Sequence, residues 1–191
     1  MLGKYPMPLN VNEDEDKDKD GPVEVAGLDV VRQPELRDLA VYWMSLRQEG
    51  RLPTRAMIDP IDIPWALDRL YLATREETPS RWRYVLAGQQ IADTFQRNTL
   101  RGVGLDEILS PEGLATVVDR WSPVEHGDVI YMDGMIYRAA ERFVQGGRLL
   151  LPLGDDDGNV VALLGMTVTE AQPRRLDPSE QGTYRVWRIR P

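Results

Sequence analysis

Apolar and polar residues follow a helical spacing between residues 34 and 49, in the segment PELRDLAVYWMSLRQE. Pro34 suits the first turn of a helix, and Gly50 suits the left-handed position that ends one. The apolar positions that recur at intervals of three or four are Leu36, Leu39, Trp43 and Leu46. Because residues at this spacing share one helical face, the segment predicts an amphipathic N-terminal helix.

A connector with two proline breaks follows the helix, in the segment IDPIDIPWALDRLYL at residues 58–72. Asp59 and Asp62 each stand one or two residues before a proline, where a short carboxylate side chain can cap a turn. Capping explains both acids without a ligand. The end of the segment predicts one helical turn that runs into a short strand.

An alternating pattern begins in the segment RWRYVLAG at residues 81–88, with Arg81, Arg83 and Val85 on one face. This period of two predicts a half-buried strand that ends at Gly88. The residues on its apolar face are Trp82, Tyr84 and Leu86. Two helices are then predicted, a short one in QQIADTFQ and a longer one in SPEGLATVVDRW, where Ser110 is the expected cap.

The rest of the chain reads as strands separated by turn residues. The expected breaks are Asp133-Gly134, Gly146-Gly147 and the segment GDDDGN at residues 154–159, and each is typical of a hairpin. Asp133-Gly134 is equally consistent with a bulge inside one long strand. This order of elements predicts an α+β domain with its helices segregated to one side of an antiparallel sheet.

Composition narrows the function classes. The 191 residues contain no cysteine, which excludes disulfides, thiolate metal sites and thiol nucleophiles and favours a cytoplasmic setting. The net charge of −8 opposes binding to phosphate backbones, so no nucleic-acid partner is expected. The longest apolar run, VVALLGMTV, has about half the length of a bilayer-spanning helix, so membrane insertion is not expected either.

The two ends of the sequence differ in charge. Residues 1–20 carry six acids against three lysines, and the charged run NVNEDEDKDKDGP predicts a disordered acidic tail over residues 1–28. The last segment, TYRVWRIRP, interleaves aromatic residues with arginines. It could stack on an RNA strand, but its charge favours an amphipathic strand or tail that docks on the acidic middle of this chain or another.

Catalytic motifs are largely missing from the sequence. The glycines of LRGVGLDEI do not follow a strand directly, and GDDDGN lacks the distal glutamate of a calcium loop, so it reads as an acidic hairpin tip. His126, the one histidine, lies between Ser122-Pro123 and Gly127, where a surface loop is expected. The sequence therefore predicts no metal site, no cofactor and no enzymatic activity.

Three segments together resemble a known protein family: residues 42–72, 81–109 (RWRYVLAGQQIADTFQRNTLRGVGLDEIL) and 149–166 (LLLPLGDDDGNVVALLGM). Their order and spacing resemble the PAS-domain family of alphaproteobacteria, long catalogued as a domain of unknown function, which includes motility regulators of the MopJ type. The resemblance implies a PAS-like five-stranded antiparallel sheet with short helices on one face, preceded by the N-terminal helix. It also implies that Trp65, Leu67 and Leu70 anchor the connector on the core.

The resemblance further implies a cleft between the sheet and the short helices. The residues expected to line it are Trp82, Tyr84, Leu86, Phe95, Leu149, Leu151 and Met166. Filling of a small core explains the same residues without any ligand. The expected partners are signalling proteins, a small apolar ligand in the cleft, and a second copy of the chain bound through Leu36, Leu39, Trp43 and Leu46.

The chain is thus predicted to have four parts: a disordered acidic tail (1–28), the helix and connector (29–72), a PAS core (73–171) and an arginine-rich tail (172–191). The function expected from the resemblance is that of a stand-alone bacterial signalling module that acts through protein contacts. Two alternatives stay open, a small-molecule sensor or carrier and an enzyme that uses Tyr84 or His126 as acid or base.

Overall fold

A seven-stranded sheet forms the centre of the protein. The structure, a computed structural model, describes residues 22–48, 50–139, 142–170 and 184–190. The strands are β1 (Val23–Ala26), β2 (Leu70–Arg75), β3 (Trp82–Ala87), β4 (Val129–Ala139), β5 (Arg142–Gly154), β6 (Val160–Thr169) and β7 (Tyr184–Arg190). The helices are α1 (Pro34–Ser45), α2 (Gln89–Thr94) and α3 (Pro111–Trp121), with 3-10 turns at Arg55–Met57, Pro64–Ala66, Leu105–Glu107 and Ser122–His126.

The strand order across the sheet is β1-β7-β4-β5-β6-β2-β3. Neighbouring strands are antiparallel except for β1 and β7, which pair in parallel. The strands from β4 to β3 form the five-stranded antiparallel sheet that the resemblance implied, and the PAS-like fold class is confirmed. Two further strands extend this sheet beyond β4.

Those two strands revise the predictions for the chain ends. Residues 23–26 form a strand, so the predicted disordered tail is wrong for this segment, and residues 1–21 lie outside the described residues. Residues 184–190 pair with β4, and Arg188 forms ion pairs with Glu24 and Asp128. The predicted docking of the C-terminal segment on the chain itself is therefore confirmed over β7.

Apolar side chains pack on both faces of the sheet. We call the face covered by α2, α3 and the Leu105–Glu107 turn the cleft face, and the opposite one the α1 face. Alternation along β4 separates them, because Ile130 and Met132 lie in the cluster on the cleft face whereas Val129 and Tyr131 lie in the cluster on the α1 face. Successive buried residues of β4 therefore pack in two separate cores, one on each face of the sheet.

Helix α1 packs its apolar stripe onto its own sheet. Leu36, Leu39 and Trp43 are all completely buried, and the indole Nε1 of Trp43 donates a hydrogen bond to the carbonyl oxygen of Pro152 at 2.9 Å. Leu46, which follows the helix, is half-buried. The amphipathic helix is confirmed, but the predicted contact with a second copy through this stripe is wrong, since the chain itself covers it.

The Gly146-Gly147 pair lies inside β5 and makes no turn, so the hairpin predicted there is wrong. A side chain at Gly147 would overlap Gln33, and one at Gly146 would overlap the backbone of Val168. Because these two residues have no side chains, the segments that contain Gln33 and Val168 can pack closely against β5. Gly134 likewise lies within the continuous strand β4, with φ at 130°, so the open choice is settled in favour of one long strand.

The acidic tip between β5 and β6 is a hairpin turn, as predicted. Asp155 Oδ1 accepts hydrogen bonds from the backbone N–H groups of Asp157 at 3.0 Å and Asn159 at 2.8 Å. These bonds, with that of Asn159 the largest, lower the pKa of Asp155. The Asp155 carboxylate therefore accepts hydrogen bonds from within its own turn.

The connector makes the predicted turn at Asp59, whose Oδ1 accepts from the backbone N–H of Ile61 at 2.9 Å. The predicted anchors are only partly right, because Leu70 is buried whereas Trp65 and Leu67 are exposed. Ile63 and Ala66 anchor the segment instead. They lie three residues apart across the 3-10 turn Pro64–Ala66, where residues at this spacing eclipse one another and face the same way.

Candidate functional site

A small cavity lies on the cleft face, between the sheet, α3 and the turn Leu105–Glu107. Its volume of about 20 Å³ is room for about one water molecule. The residues that line it are Tyr84, Phe95, Leu105, Leu109, Val117, Trp121, Ile136 and Arg148. Seven of these eight side chains are aliphatic or aromatic, so the site is an apolar chamber with one cationic wall.

Aromatic rings form the wall between the cavity and β2. Tyr71 stacks on Trp121 at 6.0 Å between ring centroids and meets the edge of Tyr84 at 5.6 Å. Trp82 approaches Trp121 edge-on at 6.5 Å. Helix α3 brings Trp121 to this position, and its first turn is fixed where Ser110 Oγ accepts from the Gly113 N–H at 3.1 Å. The capping predicted at Ser110 is confirmed.

Trp82 carries a polar group into this apolar wall. The side chain is 1% exposed, and its Nε1–H has no hydrogen-bond acceptor among the residues that the structure describes. A buried donor without an acceptor costs about 1–3 kcal/mol. This face of the sheet therefore holds a polar group for which no acceptor is built into the described chain.

Arg148 is the charged residue of the cavity wall. It sits on β5 two positions before Leu150 and thus on the same face of the sheet. Its Nε donates to Thr167 Oγ1 on β6 at 3.1 Å, and Thr167 is buried. This bond fixes the orientation of the guanidinium plane. Sequence reasoning missed Arg148, because every residue of the apolar run Leu149–Leu151 that follows it is buried and the run does not show which face Arg148 shares.

The loop over the cavity is fastened to the edge strand β3. Arg83 Nη1 donates to the carbonyl oxygen of Gly102 at 2.6 Å and to Glu107 Oε1 at 3.0 Å, while its Nε donates to Glu76 at 2.7 Å. The hydrogen bonds that Arg83 donates to Glu76, and then to Glu107, raise the pKa of Arg83. The Gly104 N–H, at 2.8 Å, and then Arg83 lower the pKa of Glu107. These bonds hold the loop that carries Leu105 and Leu109 in place.

Three of the seven predicted cleft residues come together on the cleft face. Tyr84 and Phe95 line the cavity, and Trp82 is buried beside Trp121. Leu86 is 48% exposed, because Ala73 pairs with Tyr84 and Leu72 with Leu86, which leaves an extra residue in β3. The predicted inward position of Leu86 is therefore wrong.

The other three predicted cleft residues lie on the wrong side of the sheet. Leu149, Leu151 and Met166 are fully buried in the cluster on the α1 face, and Leu150 occupies the cleft face instead. A shift of one residue exchanges the faces of a strand. The cavity-lining residues that the sequence prediction did not name are Leu105, Leu109, Val117, Trp121, Ile136 and Arg148.

His126 lies at the end of the 3-10 turn Ser122–His126 and is exposed, as predicted for a surface position. Its Nδ1 is 3.1 Å from the carbonyl oxygen of Ser122, and the residue does not line the cavity. In the part of the chain that the structure describes, no group of three or more His, Cys, Asp or Glu side chains is arranged to hold a metal ion. None of the described helices has the length and apolarity that a bilayer crossing requires.

Comparison with known proteins identifies the fold family. A family model described as PAS domain matches residues 31–168. No curated protein resembles the chain significantly in sequence. Among solved structures, the PAS domain of BvgS from Bordetella pertussis is similar at 16% identity and a TM-score of 0.48, covering 59% of this chain and 83% of that one. VqmA from Vibrio cholerae is similar at 12% identity and a TM-score of 0.43, covering 64% of this chain and 55% of that one.

Proposed function

This chain belongs to the PAS domain family, and on that premise we propose that it is a non-enzymatic regulatory module whose cleft takes a small ligand and whose output is a contact with a partner protein. A cytoplasmic site of action is part of the proposal. The observation that carries it is the division of the sheet into two cores that share the same strands.

Strand β4 is the element through which the two cores meet. On the cleft face Ile130 and Met132 pack in the cluster that surrounds the cavity, whereas on the α1 face Tyr131 donates its hydroxyl to Gln33 at 2.8 Å. Asp133, two residues further on, accepts from Arg32 and Gln33 at 3.0 Å each. A displacement of β4 caused by a ligand would therefore reach Arg32 and Gln33, the two residues immediately before α1, through direct hydrogen bonds.

The partner surface that we propose lies on the outer side of α1 and on the connector. Val41, Met44 and Ile61 are exposed apolar residues there, Ile61 at 83%. Tyr42 holds the connector against the helix, since its hydroxyl accepts from the Asp59 N–H at 2.9 Å. This surface replaces the buried stripe as the candidate contact, because these side chains remain available to solvent.

Affinity capture with matched variants tests the partner contact. Met44→Asp combined with Ile61→Asp should lose a specifically captured protein, whereas Val161→Asp should retain it. Val161 is a suitable control because it is an exposed apolar residue on β6. Equal capture by both variants would show that the output uses another surface.

Native mass spectrometry tests the ligand. Protein purified from its own host should carry a retained small molecule that is lost in Leu109→Trp, a change that fills the cavity. A second candidate function, an enzyme that uses the cleft, is favoured by one observation, the phenol of Tyr84 in the cavity wall. Turnover of a released compound that disappears in Tyr84→Phe would replace the binding proposal with this one.

A further inference from the structure

We propose that the surface formed by α1 and the connector binds a positively charged amphipathic segment of the partner protein, in which lysines or arginines are interleaved with apolar side chains. This inference rests on the proposed function, since it names the chemical class of partner for the same surface. It follows from the exposed apolar side chains, from the carboxylates among them and from the bonds that hold the connector on the helix.

Exposed apolar side chains are concentrated on this surface. Eight large apolar residues of the described chain are exposed, and five of them lie between positions 41 and 67. These five are Val41 and Met44 on α1 and Ile61, Trp65 and Leu67 on the connector. Ile61 is 83% exposed, so most of its side chain remains for a partner to bury. Exposed apolar residues grouped in this way mark protein contacts.

The connector is held on α1 at both ends of its exposed part. At one end the Asp59 N–H donates to the Tyr42 hydroxyl at 2.9 Å, and at the other end Arg69 Nη1 donates to Glu35 Oε1 at 3.2 Å. Ile63, between these two points, is 1% exposed and fixes the connector on the core. The helix and the connector therefore form one surface before any partner arrives, and little conformational entropy is lost on binding.

Carboxylates lie among these apolar residues. Asp62 and Asp68 stand three residues before and after Trp65, and Asp38 lies on α1 one turn before Tyr42. All three acids are exposed, and none of them forms an ion pair or a side-chain hydrogen bond within the part of the chain that the structure describes. They are therefore available to cations from outside the chain.

Acids outnumber bases on this surface. Together, α1 and residues 58–69 contain five acids and two arginines. One of these, Arg69, pairs with Glu35 and also donates to the Trp65 carbonyl oxygen at 3.5 Å. The other, Arg37, donates to the carbonyl oxygen of Val31 at 2.7 Å. The surface thus keeps an excess of negative charge, which a partner of opposite charge complements.

The same charge disfavours other classes of partner. In a two-fold dimer formed through this surface, each subunit would set its acids against the identical acids of the second copy. Nucleic acids carry negative charge as well and would be repelled. A cationic amphipathic segment satisfies both features, because its apolar side chains cover Ile61 and Trp65 while its cations pair with the carboxylates.

Two helical peptides of roughly 15 residues, or about four turns, test the inference when they are titrated with the full chain. One contains leucine and lysine at amphipathic spacing, and the other carries glutamate in place of every lysine. Fluorescence anisotropy of the labelled peptides measures their binding. We expect the lysine peptide to bind at least about tenfold more tightly than the glutamate peptide, since it gains several ion pairs where the other meets like charges.

Matched double variants locate the charge effect. Asp62→Asn combined with Asp68→Asn should weaken binding of the lysine peptide about threefold to tenfold, the value of two exposed ion pairs. Asp156→Asn combined with Asp157→Asn, on the exposed hairpin tip, should leave binding nearly unchanged. Both doubles remove the same charge, so their comparison separates this surface from the general negative charge of the protein.

A second pair of variants tests the apolar contribution. Ile61→Ser should weaken the lysine peptide about tenfold, because a buried isoleucine side chain is lost from the interface. Val161→Ser, at an exposed apolar position on β6, should have no such effect.

Several results would overturn the inference. They are failure of the lysine peptide to bind, equal affinity for the two peptides, and equal weakening by the two double variants. Self-association of the chain that Ile61→Ser abolishes would assign the surface to a second copy and overturn it as well. The proposed function is judged separately, by affinity capture with Met44→Asp and Ile61→Asp, so a partner that still depends on these residues would show that only its charge was misjudged.

Discussion

Two tryptophans, one on each face of the sheet, make a matched pair for testing what the buried indole N–H contributes. Trp43 on the α1 face is 0% exposed and its Nε1 donates to the Pro152 carbonyl oxygen at 2.9 Å. Trp82 on the cleft face is 1% exposed, and its Nε1 has no acceptor among the described residues. Substitution by phenylalanine removes the N–H from both while it keeps an aromatic ring.

The magnitude follows from the difference between the two sites. Trp→Phe deletes the same atoms at both positions, so the losses of burial and packing largely cancel between them. Trp43→Phe additionally removes a hydrogen bond, with a net value of about 1 kcal/mol. Trp82→Phe instead relieves a buried donor whose desolvation costs about 1–3 kcal/mol. We therefore expect Trp43→Phe to lower the free energy of unfolding by about 2–4 kcal/mol more than Trp82→Phe.

Urea unfolding monitored by far-ultraviolet circular dichroism provides the measurement. The dependence of the free energy on urea, the m-value, should be equal in the two variants and the wild type, which would show that the same surface is exposed on unfolding. Equal costs for the two substitutions would refute the reasoning. A larger cost for Trp82→Phe would refute it as well, and would indicate that the Trp82 N–H is satisfied in solution.

Three further predictions concern stability, each measured by urea unfolding. Burial raises the pKa of Tyr131 from 10.0 to about 12; between these pH values only the unfolded chain ionises, so the free energy of unfolding should fall by up to about 3 kcal/mol as pH rises. Tyr131→Phe should flatten that fall, and an unchanged slope would contradict the assignment. Gly165→Ala should cost about 1–3 kcal/mol, because its methyl group would overlap the ring of Tyr71; a neutral effect would mean that the ring moves freely. Glu125→Gln should cost about 1–2 kcal/mol and should do so even in 1 M salt, since the carboxylate is 4% exposed and pairs with two arginines. Asp157→Asn, on the exposed hairpin tip, is the control that should change stability by less than about 0.5 kcal/mol.

Local patterns predicted most of the elements because each carried its own signal. The stripe of Leu36, Leu39 and Trp43 gave α1, and Ser110 gave the start of α3. The alternation of Trp82 and Tyr84 gave β3 and its inward face. In each case residues within a few positions of one another determine the conformation, so no knowledge of distant contacts was needed.

The faces of the apolar strands could not be predicted in the same way. Leu149, Leu150 and Leu151 are all apolar, so the sequence pattern does not show which of them faces the cleft. All three are buried, because both faces of β5 are covered. Leu86 left the cleft because of a bulge that depends on pairing with β2. The cleft residues that were missed come from loops and helices that tertiary packing brings over the sheet.

The glycine pair in β5 was misread for a related reason. Gly146-Gly147 resembles a turn locally, but its glycines serve packing against Val168 and Gln33, which lie far away along the sequence. The same limit applies to the chain ends, where β1 forms only because β7 offers it a partner. Arg148 became a candidate residue only when Thr167 and the aromatic wall were seen around it.

The parallel pairing of β1 with β7 has a consequence for the behaviour of the protein at high concentration. Strand β7 presents a row of backbone groups that another chain could extend, and β1 covers that row with only four residues. Glu24 adds a charge at the border, where it meets Arg188. The segment thus limits edge-to-edge pairing between the sheets of separate molecules, and proteolytic loss of residues 22–26 would expose the backbone groups of β7 to such pairing.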